Sequence, residues 1–247
     1  MQAVLYVAHG SRVKAGIQEA YRFVEKVKVK TGVKIQELCF LELAEPSISQ
    51  GIKNCMLKGA TSIAVVPIFL FSANHMKYDF PKAINQVKKH YPQVPITLGK
   101  PFGVHEKLVN SIQSRILEKK ENHKEIDVLL IGRGSSDPKI QMEFQHIANR
   151  LKEKYHYRNV DICFLYGKGP LFDEKLEELK NRKNPVLIVP YLLFTGRLHI
   201  GIQKKLENQR DTKEPIILCD CLGYDENVQQ VLIERVKETL SLIKESA

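Results

Sequence analysis

The chain of 247 residues contains an internal repeat, and a repeat constrains the fold before any local propensity is considered. Three apolar segments of the first half recur in the same order in the second half: Val4–Ser11 as Val128–Ser135, Cys39–Leu41 as Cys163–Leu165, and Val66–Pro67 as Val189–Pro190. The offset is 124 residues for the first two segments and 123 for the third. Collinear matches of this kind are hard to obtain by chance. We therefore predict two homologous domains, 1–122 and 123–247, joined near the charged stretch 118–125.

Each half alternates short apolar runs, rich in Val, Ile and Leu, with segments of helical period, which is typical of a parallel sheet covered on both faces. The predicted fold class is α/β, and each domain is a four-stranded, mainly parallel sheet flanked by about four helices. The strands are predicted at 3–8, 34–41, 62–70 and 94–98, and at 127–132, 159–166, 185–193 and 215–219. Pro46 is expected in the first turn of the second helix and Gly59 at its end.

The apolar runs and the cysteines indicate the cellular setting. The longest runs, 63–71 and 186–194, have 9 residues each, far below the ~20 that a membrane-spanning helix needs. The N-terminus lacks the basic and long apolar regions of a secretory signal. Five cysteines are few and odd in number, so buried, reduced thiols are expected rather than disulfides. We expect a cytoplasmic protein with no membrane partner.

A formal net charge of +10 favours polyanionic partners, among them nucleic acid, an anionic membrane surface or a polyacidic small molecule. The lysines are spread along presumed helix faces and form no dense basic stripe or aromatic–basic motif. We therefore predict no nucleic-acid partner. Gly132–Asp137 matches the dinucleotide fingerprint at only three residues, and no Walker lysine loop occurs, so no nucleotide is predicted.

Candidate functional residues follow from the position of the strand ends, because ligands of open parallel sheets bind outside the carboxyl ends of the strands. The first strand ends at His9, the second at Glu42, and the third leads to His75. Two imidazoles and a carboxylate form a ligand set for first-row transition metals. No cysteine completes a closed tetrahedral set, so the pattern favours a site that loads and releases a metal.

Two alternatives stay open for these residues. A single histidine after a strand is commonly a core residue with a satisfied ring, and convergence with a second histidine argues against that interpretation here. Glu42 is either a metal ligand or a general base, since a carboxylate beside a cleft wall can take protons near neutral pH.

The second half has replaced the three residues. Arg133 stands in place of His9, Tyr166 in place of Glu42, and Leu198, followed by His199, in place of His75. Arg133 and Arg197 could hold carboxylates through bidentate hydrogen bonds, with ordinary surface ion pairs as the alternative. The second domain is therefore predicted to carry a degenerate site.

Four segments identify a family resemblance: Val7–Arg12, Pro67–Phe71, Asn74–Pro81 and, in the second half, Pro190–Gly196. They resemble the class II tetrapyrrole chelatases along the whole chain, above all the two-domain bacterial members of siroheme synthesis. The resemblance implies insertion of Fe(II) into sirohydrochlorin with release of two protons, with no nucleotide and no permanent cofactor. The alternatives are Co(II) insertion, as in cobalamin synthesis, and a metal or tetrapyrrole carrier without catalysis.

The resemblance also implies residue roles. His9 and His75 are the catalytic and metal-binding pair, and Glu42 assists them. The macrocycle is expected in a crevice between the two halves, with its carboxylates near polar and basic groups. The expected substrate-binding residues are Ser11, Arg12, Lys14, Asn74, Lys77, Arg133 and Arg197. Because one chain supplies both halves, a monomer is expected to suffice.

Overall fold

The computed structural model describes residues 1–72, 80–119, 126–208 and 214–245. The first half contains β1 (Gln2–Ala8), α1 (Lys14–Thr31), β2 (Ile35–Phe40), α2 (Ile48–Leu57), β3 (Ser62–Pro67), α3 (Phe80–His90), β4 (Ile96–Leu98) and α4 (Glu106–Leu117). The second half contains β5 (Asp127–Gly132), α5 (Pro138–Tyr155), β6 (Asn159–Phe164), α6 (Phe172–Leu179), β7 (Val186–Pro190), α7 (Arg197–Glu207), β8 (Ile216–Leu218), a 3-10 turn (Leu222–Tyr224) and α8 (Glu226–Glu245). None of the helices described combines the length and the apolar character needed to cross a bilayer.

Each half forms its own parallel sheet, with strand order β2-β1-β3-β4 in the first and β6-β5-β7-β8 in the second. All pairings are parallel. The central strands β1, β3, β5 and β7 are buried along almost their whole length, as their continuous apolar runs predict. The predicted α/β class, the four-stranded sheets and the repeat are therefore confirmed.

The core of each sheet is formed by strand residues together with the apolar faces of the covering helices. In the first sheet, Leu5 and Val7 of β1 pack with Ile52 of α2 and Ile84 of α3. In the second sheet the corresponding core contains Leu129, Ile131, Phe172, Ile188 and Ile202. These buried side chains fix the strands and leave the loops after them at the carboxyl edge.

Several predicted boundaries differ from the structure, and three of them have identifiable reasons. Strands β3 and β7 end at their prolines, earlier than predicted, because the chain beyond them pairs elsewhere. After β3, the carbonyls of Phe69 and Leu70 accept hydrogen bonds from the N–H groups of Phe102 and Gly103. After β7, the carbonyls of Leu192 and Leu193 accept from Leu222 and Gly223. Helix α2 begins at Ile48 rather than at Pro46. Ser47 caps it, forming a capping box with Gln50, and this pairing fixes the helix start two residues beyond the proline. Gly59 follows the helix end with a φ of 88°, as predicted.

The chain divides into two compact units, one of Met1–Gly103 with Gln229–Ala247 and one of Val104–Val228. The predicted domain boundary after residue 122 divides the chain differently, because the last helix of each repeat, α4 or most of α8, belongs to the compact unit that contains the sheet of the other repeat. Within the second unit, Gln113 of α4 accepts a hydrogen bond from the Tyr157 hydroxyl at 2.7 Å. Within the first unit, Arg235 of α8 donates to the carbonyls of Pro101 and Phe102 at 2.9 Å each.

All five cysteines are buried thiols, as expected. Burial raises the pKa of Cys55, Cys163 and Cys219 to about 12. These groups therefore stay protonated near neutral pH and do not offer the thiolate that a metal binds.

Candidate functional site

The loops after β1 and β2 hold each other through backbone hydrogen bonds. The N–H of Leu41 donates to the carbonyl of Ala8 at 2.8 Å, and that of Glu42 donates to the carbonyl of His9 at 3.1 Å. Gly10 has a φ of 97°, and a Cβ placed on it would lie 1.8 Å from the Glu42 carbonyl oxygen. Only glycine allows this approach, which places His9 and Glu42 side by side.

His9 and Glu42 form a pair at the carboxyl edge of the first sheet, as predicted. His9 Nδ1 lies 3.4 Å from Glu42 Oε1, and the two side chains are 33% and 47% exposed. The carboxylate beside Nδ1 favours the imidazole tautomer that is protonated there, with its lone pair on Nε2. Such an imidazole can bind a metal or accept a proton, and its exposure leaves it accessible to a substrate.

The ring of Phe69 packs beside His9, with 6.0 Å between the ring centroids and an angle of 43° between the planes. Phe69 follows β3 and also packs against the core of the first sheet, so it links the imidazole to the rigid part of the fold. Sequence reasoning missed this residue. The available signal was its place in the apolar run that ends at the carboxyl edge.

The other candidate site residues of the first half differ in their exposure and in their hydrogen bonds. Arg12 and Lys14 are exposed at the start of α1. Ser11 Oγ accepts a hydrogen bond from the N–H of Val13 at 3.0 Å and so helps to shape the turn into α1. The remaining three predicted residues, Asn74, His75 and Lys77, lie outside the described residues. The described ranges contain no group of three metal-ligating side chains, so the site shows one imidazole and one carboxylate.

The second half repeats the loop geometry with other side chains. The N–H of Tyr166 donates to the carbonyl of Arg133 at 3.0 Å, and a Cβ on Gly134 would lie 1.7 Å from the Tyr166 carbonyl oxygen. The Ser135 hydroxyl accepts from the N–H of Asp137 at 3.1 Å, as Ser11 does from Val13. Arg133 and Tyr166 are thus the structural counterparts of His9 and Glu42, and both are exposed.

Arg197, the last of the predicted site residues, is the first residue of α7 and is exposed. Its position after β7 places it at the carboxyl edge of the second sheet. The predicted roles of the exposed basic residues in substrate binding stay predictions.

The fold and the site define a class: a protein of two parallel α/β repeats with an imidazole–carboxylate pair at the carboxyl edge of the first sheet. The model of the CbiX family matches residues 3–119 and 127–239, and the chain belongs to that family. The predicted family resemblance is confirmed by this match and by the relatives below.

Three relatives cover nearly the whole chain. The sirohydrochlorin ferrochelatase of Priestia megaterium is 44% identical over 243 residues, which are 98% of this chain and 91% of the relative. The sirohydrochlorin cobaltochelatase of the same organism is 36% identical over 247 residues, covering 97% of this chain and 80% of the relative. The structure of SirB from Bacillus subtilis with Fe3+ is 41% identical, with a TM-score of 0.87 and coverage of 96% of this chain and 95% of the other.

Proposed function

We propose that this protein is a sirohydrochlorin ferrochelatase, which inserts Fe(II) into sirohydrochlorin and releases two protons to give siroheme. The observation that carries the proposal is the His9–Glu42 pair in a chain that is 44% identical, over 98% of its length, to a sirohydrochlorin ferrochelatase. The metal is a substrate, and the reaction needs no permanent cofactor and no nucleotide.

In the proposed mechanism, His9 and His75 bind the metal through neutral imidazoles. Glu42, 3.4 Å from Nδ1 of His9, orients that ring so that Nε2 offers its lone pair. Two pyrrole nitrogens lose their protons as they bind the metal. The half-exposed Glu42 carboxylate accepts these protons and passes them to water, so the charges balance: one divalent cation replaces two protons.

The proposed substrate is a polycarboxylate, and the net charge of +10 favours its approach. Arg12, Lys14, Arg133 and Arg197 are the exposed basic groups that we assign to its carboxylates, with Ser11, Asn74 and Lys77 as further contacts implied by the family resemblance. Guanidinium groups suit this role, because they bind carboxylates in a bidentate manner. In this assignment the first repeat carries the catalytic residues, and both repeats contribute groups that bind substrate.

We further propose that the enzyme acts as a cytoplasmic monomer, since one chain supplies both repeats and carries buried, reduced thiols.

Cobalt insertion is the second candidate function. The relative from Priestia megaterium that is 36% identical is a sirohydrochlorin cobaltochelatase, and imidazole and carboxylate ligands suit Fe(II) and Co(II) alike. The preferred metal therefore has to be identified by comparing the insertion rates of Fe(II) and Co(II).

The test is an anaerobic assay without nucleotide, in which a small amount of protein is mixed with excess sirohydrochlorin and Fe(II) or Co(II). The absorption spectrum of the tetrapyrrole reports metallation with time, after subtraction of the uncatalysed rate. Multiple turnovers with Fe(II) support the proposal, and faster turnover with Co(II) favours the second candidate. Stoichiometric binding without metallation would leave a carrier as the better description.

A further inference from the structure

Leu43, the residue after Glu42, has a backbone conformation that disfavours leucine. Its φ is 63°, in the left-handed region where a Cβ crowds the following carbonyl oxygen. Within the described residues, His156 is the other non-glycine residue with a positive φ, and it ends helix α5, where this conformation is common. Leu43, by contrast, does not lie at the end of a helix.

The repeat shows that the loop, and not the leucine side chain, requires this conformation. The second-half counterpart of Leu43 is Gly167, which follows Tyr166 as Leu43 follows Glu42, and its φ is 90°. Glycine adopts such angles at no steric cost. The first repeat therefore has a leucine where its own loop geometry, and the other copy, favour glycine.

Packing does not explain the leucine either. The Leu43 side chain is 47% exposed and is not part of the hydrophobic core of the first sheet. An exposed apolar side chain on a strained backbone position contributes little to folding. Strain of this kind is retained mainly where it serves a functional site, and Leu43 is adjacent to the His9–Glu42 pair.

We propose that Leu43 is a substrate-contact residue, whose side chain packs against the apolar surface of the tetrapyrrole macrocycle beside His9 and Glu42. The inference rests on the proposed function. Sites for organic ligands are lined mainly by apolar groups, with a few polar groups that set orientation. The charged residues assigned above account for the carboxylates of the substrate and leave its flat apolar ring system without a partner, which Leu43 supplies.

The test compares three substitutions of Leu43. Leu43→Gly and Leu43→Asn introduce residues that accept a positive φ but lack the apolar side chain, whereas Leu43→Met keeps an apolar side chain of similar size. Leu57→Asn is the matched control, since Leu57 is another exposed leucine, 76% exposed, at the end of α2. Each variant is assayed for melting temperature, for the Kd of metal-free sirohydrochlorin, for kcat and KM, and for Co(II) binding.

We expect Leu43→Gly and Leu43→Asn to melt at or above the wild-type temperature while the Kd and KM for sirohydrochlorin rise about tenfold, which corresponds to losing most of the burial of one leucine. Leu43→Met and Leu57→Asn should keep both constants near wild type, and Co(II) binding should be unchanged in all variants. This combination distinguishes substrate contact from a purely structural role. If Leu43 were only structural, Leu43→Gly and Leu43→Asn, which suit the backbone better, would leave the Kd and KM for sirohydrochlorin unchanged.

Two results would overturn the inference in an active wild-type protein. One is an unchanged Kd and KM in Leu43→Gly and Leu43→Asn. The other is loss of Co(II) binding in these two variants, which would mean that Leu43 acts by placing Glu42. A wild-type protein that binds sirohydrochlorin but does not metallate it would refute the proposed function instead, and the Kd of the variants would still decide the role of Leu43.

Discussion

Replacing Gly10 with alanine should damage stability and activity together, because this glycine brings the His9 and Glu42 loops into contact. The added Cβ would lie 1.8 Å from the Glu42 carbonyl oxygen, whereas real Cβ atoms essentially never approach closer than 3.0 Å. The Glu42 backbone must therefore retreat by roughly an ångström, or the loop after β1 must change its course.

The free energy has two contributions. A left-handed or similar positive φ costs a residue with a Cβ about 1–2 kcal/mol, and forcing an extra methyl group into a packed site costs about 1–3 kcal/mol. We expect Gly10→Ala to lose about 2–5 kcal/mol of unfolding free energy, which lowers the melting temperature by roughly 4–20 °C for a chain of this size. A displacement of about 1 Å in a catalytic group can reduce kcat/KM about 100-fold, and we expect a loss of that order at temperatures where the variant is folded.

Gly134→Ala is the matched control, because a Cβ there would lie 1.7 Å from the Tyr166 carbonyl oxygen. It should destabilise the protein to a similar degree while turnover falls far less, since that loop carries no imidazole–carboxylate pair. Thermal melts and steady-state metallation of sirohydrochlorin measure both effects. A Gly10→Ala variant that melts like wild type, or one that is destabilised but retains kcat/KM, would refute the reasoning.

Three further predictions use other contacts of the structure. Phe69→Leu keeps apolar bulk but removes the ring beside His9; the loss of about 0.5–1.5 kcal/mol should lower the melting temperature by roughly 1–6 °C and kcat/KM by about two- to tenfold, and an unchanged kcat/KM would show that the ring does not position His9. Arg182→Ala removes the cationic partner of the buried Asp127 carboxylate, 3.0 Å away, and leaves it the hydrogen bond from Asn159 at 2.8 Å; the change should cost about 1–3 kcal/mol in denaturant unfolding without affecting KM, and wild-type stability would contradict the importance of the ion pair. Co(II) binding should weaken as the pH is lowered, because protons compete with the metal for the imidazole nitrogens; titrations that give the same Kd at acid and neutral pH would exclude histidine ligands.

Much of the fold was predictable because the repeat places equivalent loops at equivalent strand ends. The pairing of His9 with Glu42 followed from the rule for carboxyl ends of parallel strands, and the structure confirms it. Strand lengths were less predictable. The carbonyls of Phe69 and Leu70 leave the sheet to pair with residues more than 30 positions away in sequence, which no local pattern indicates.

The sequence also did not predict that the last helix of each repeat belongs to the compact unit of the other repeat. That assignment depends on long-range contacts, such as the hydrogen bond between Tyr157 and Gln113. The strained backbone at Leu43 is different, because a signal existed. Comparing the two repeats residue by residue places Leu43 opposite Gly167, and a glycine in one copy of a loop indicates a positive φ in both.

The central claim is that His9 carries metal insertion, and the most direct test is the metallation of sirohydrochlorin by His9→Ala. His146→Ala is the control, because His146 is exposed on α5 in the repeat that lacks the imidazole–carboxylate pair. The account predicts that His9→Ala melts near the wild-type temperature, binds metal-free sirohydrochlorin and shows no turnover above the uncatalysed rate, while His146→Ala turns over as wild type does. Near-normal turnover by a folded His9→Ala variant would contradict the account.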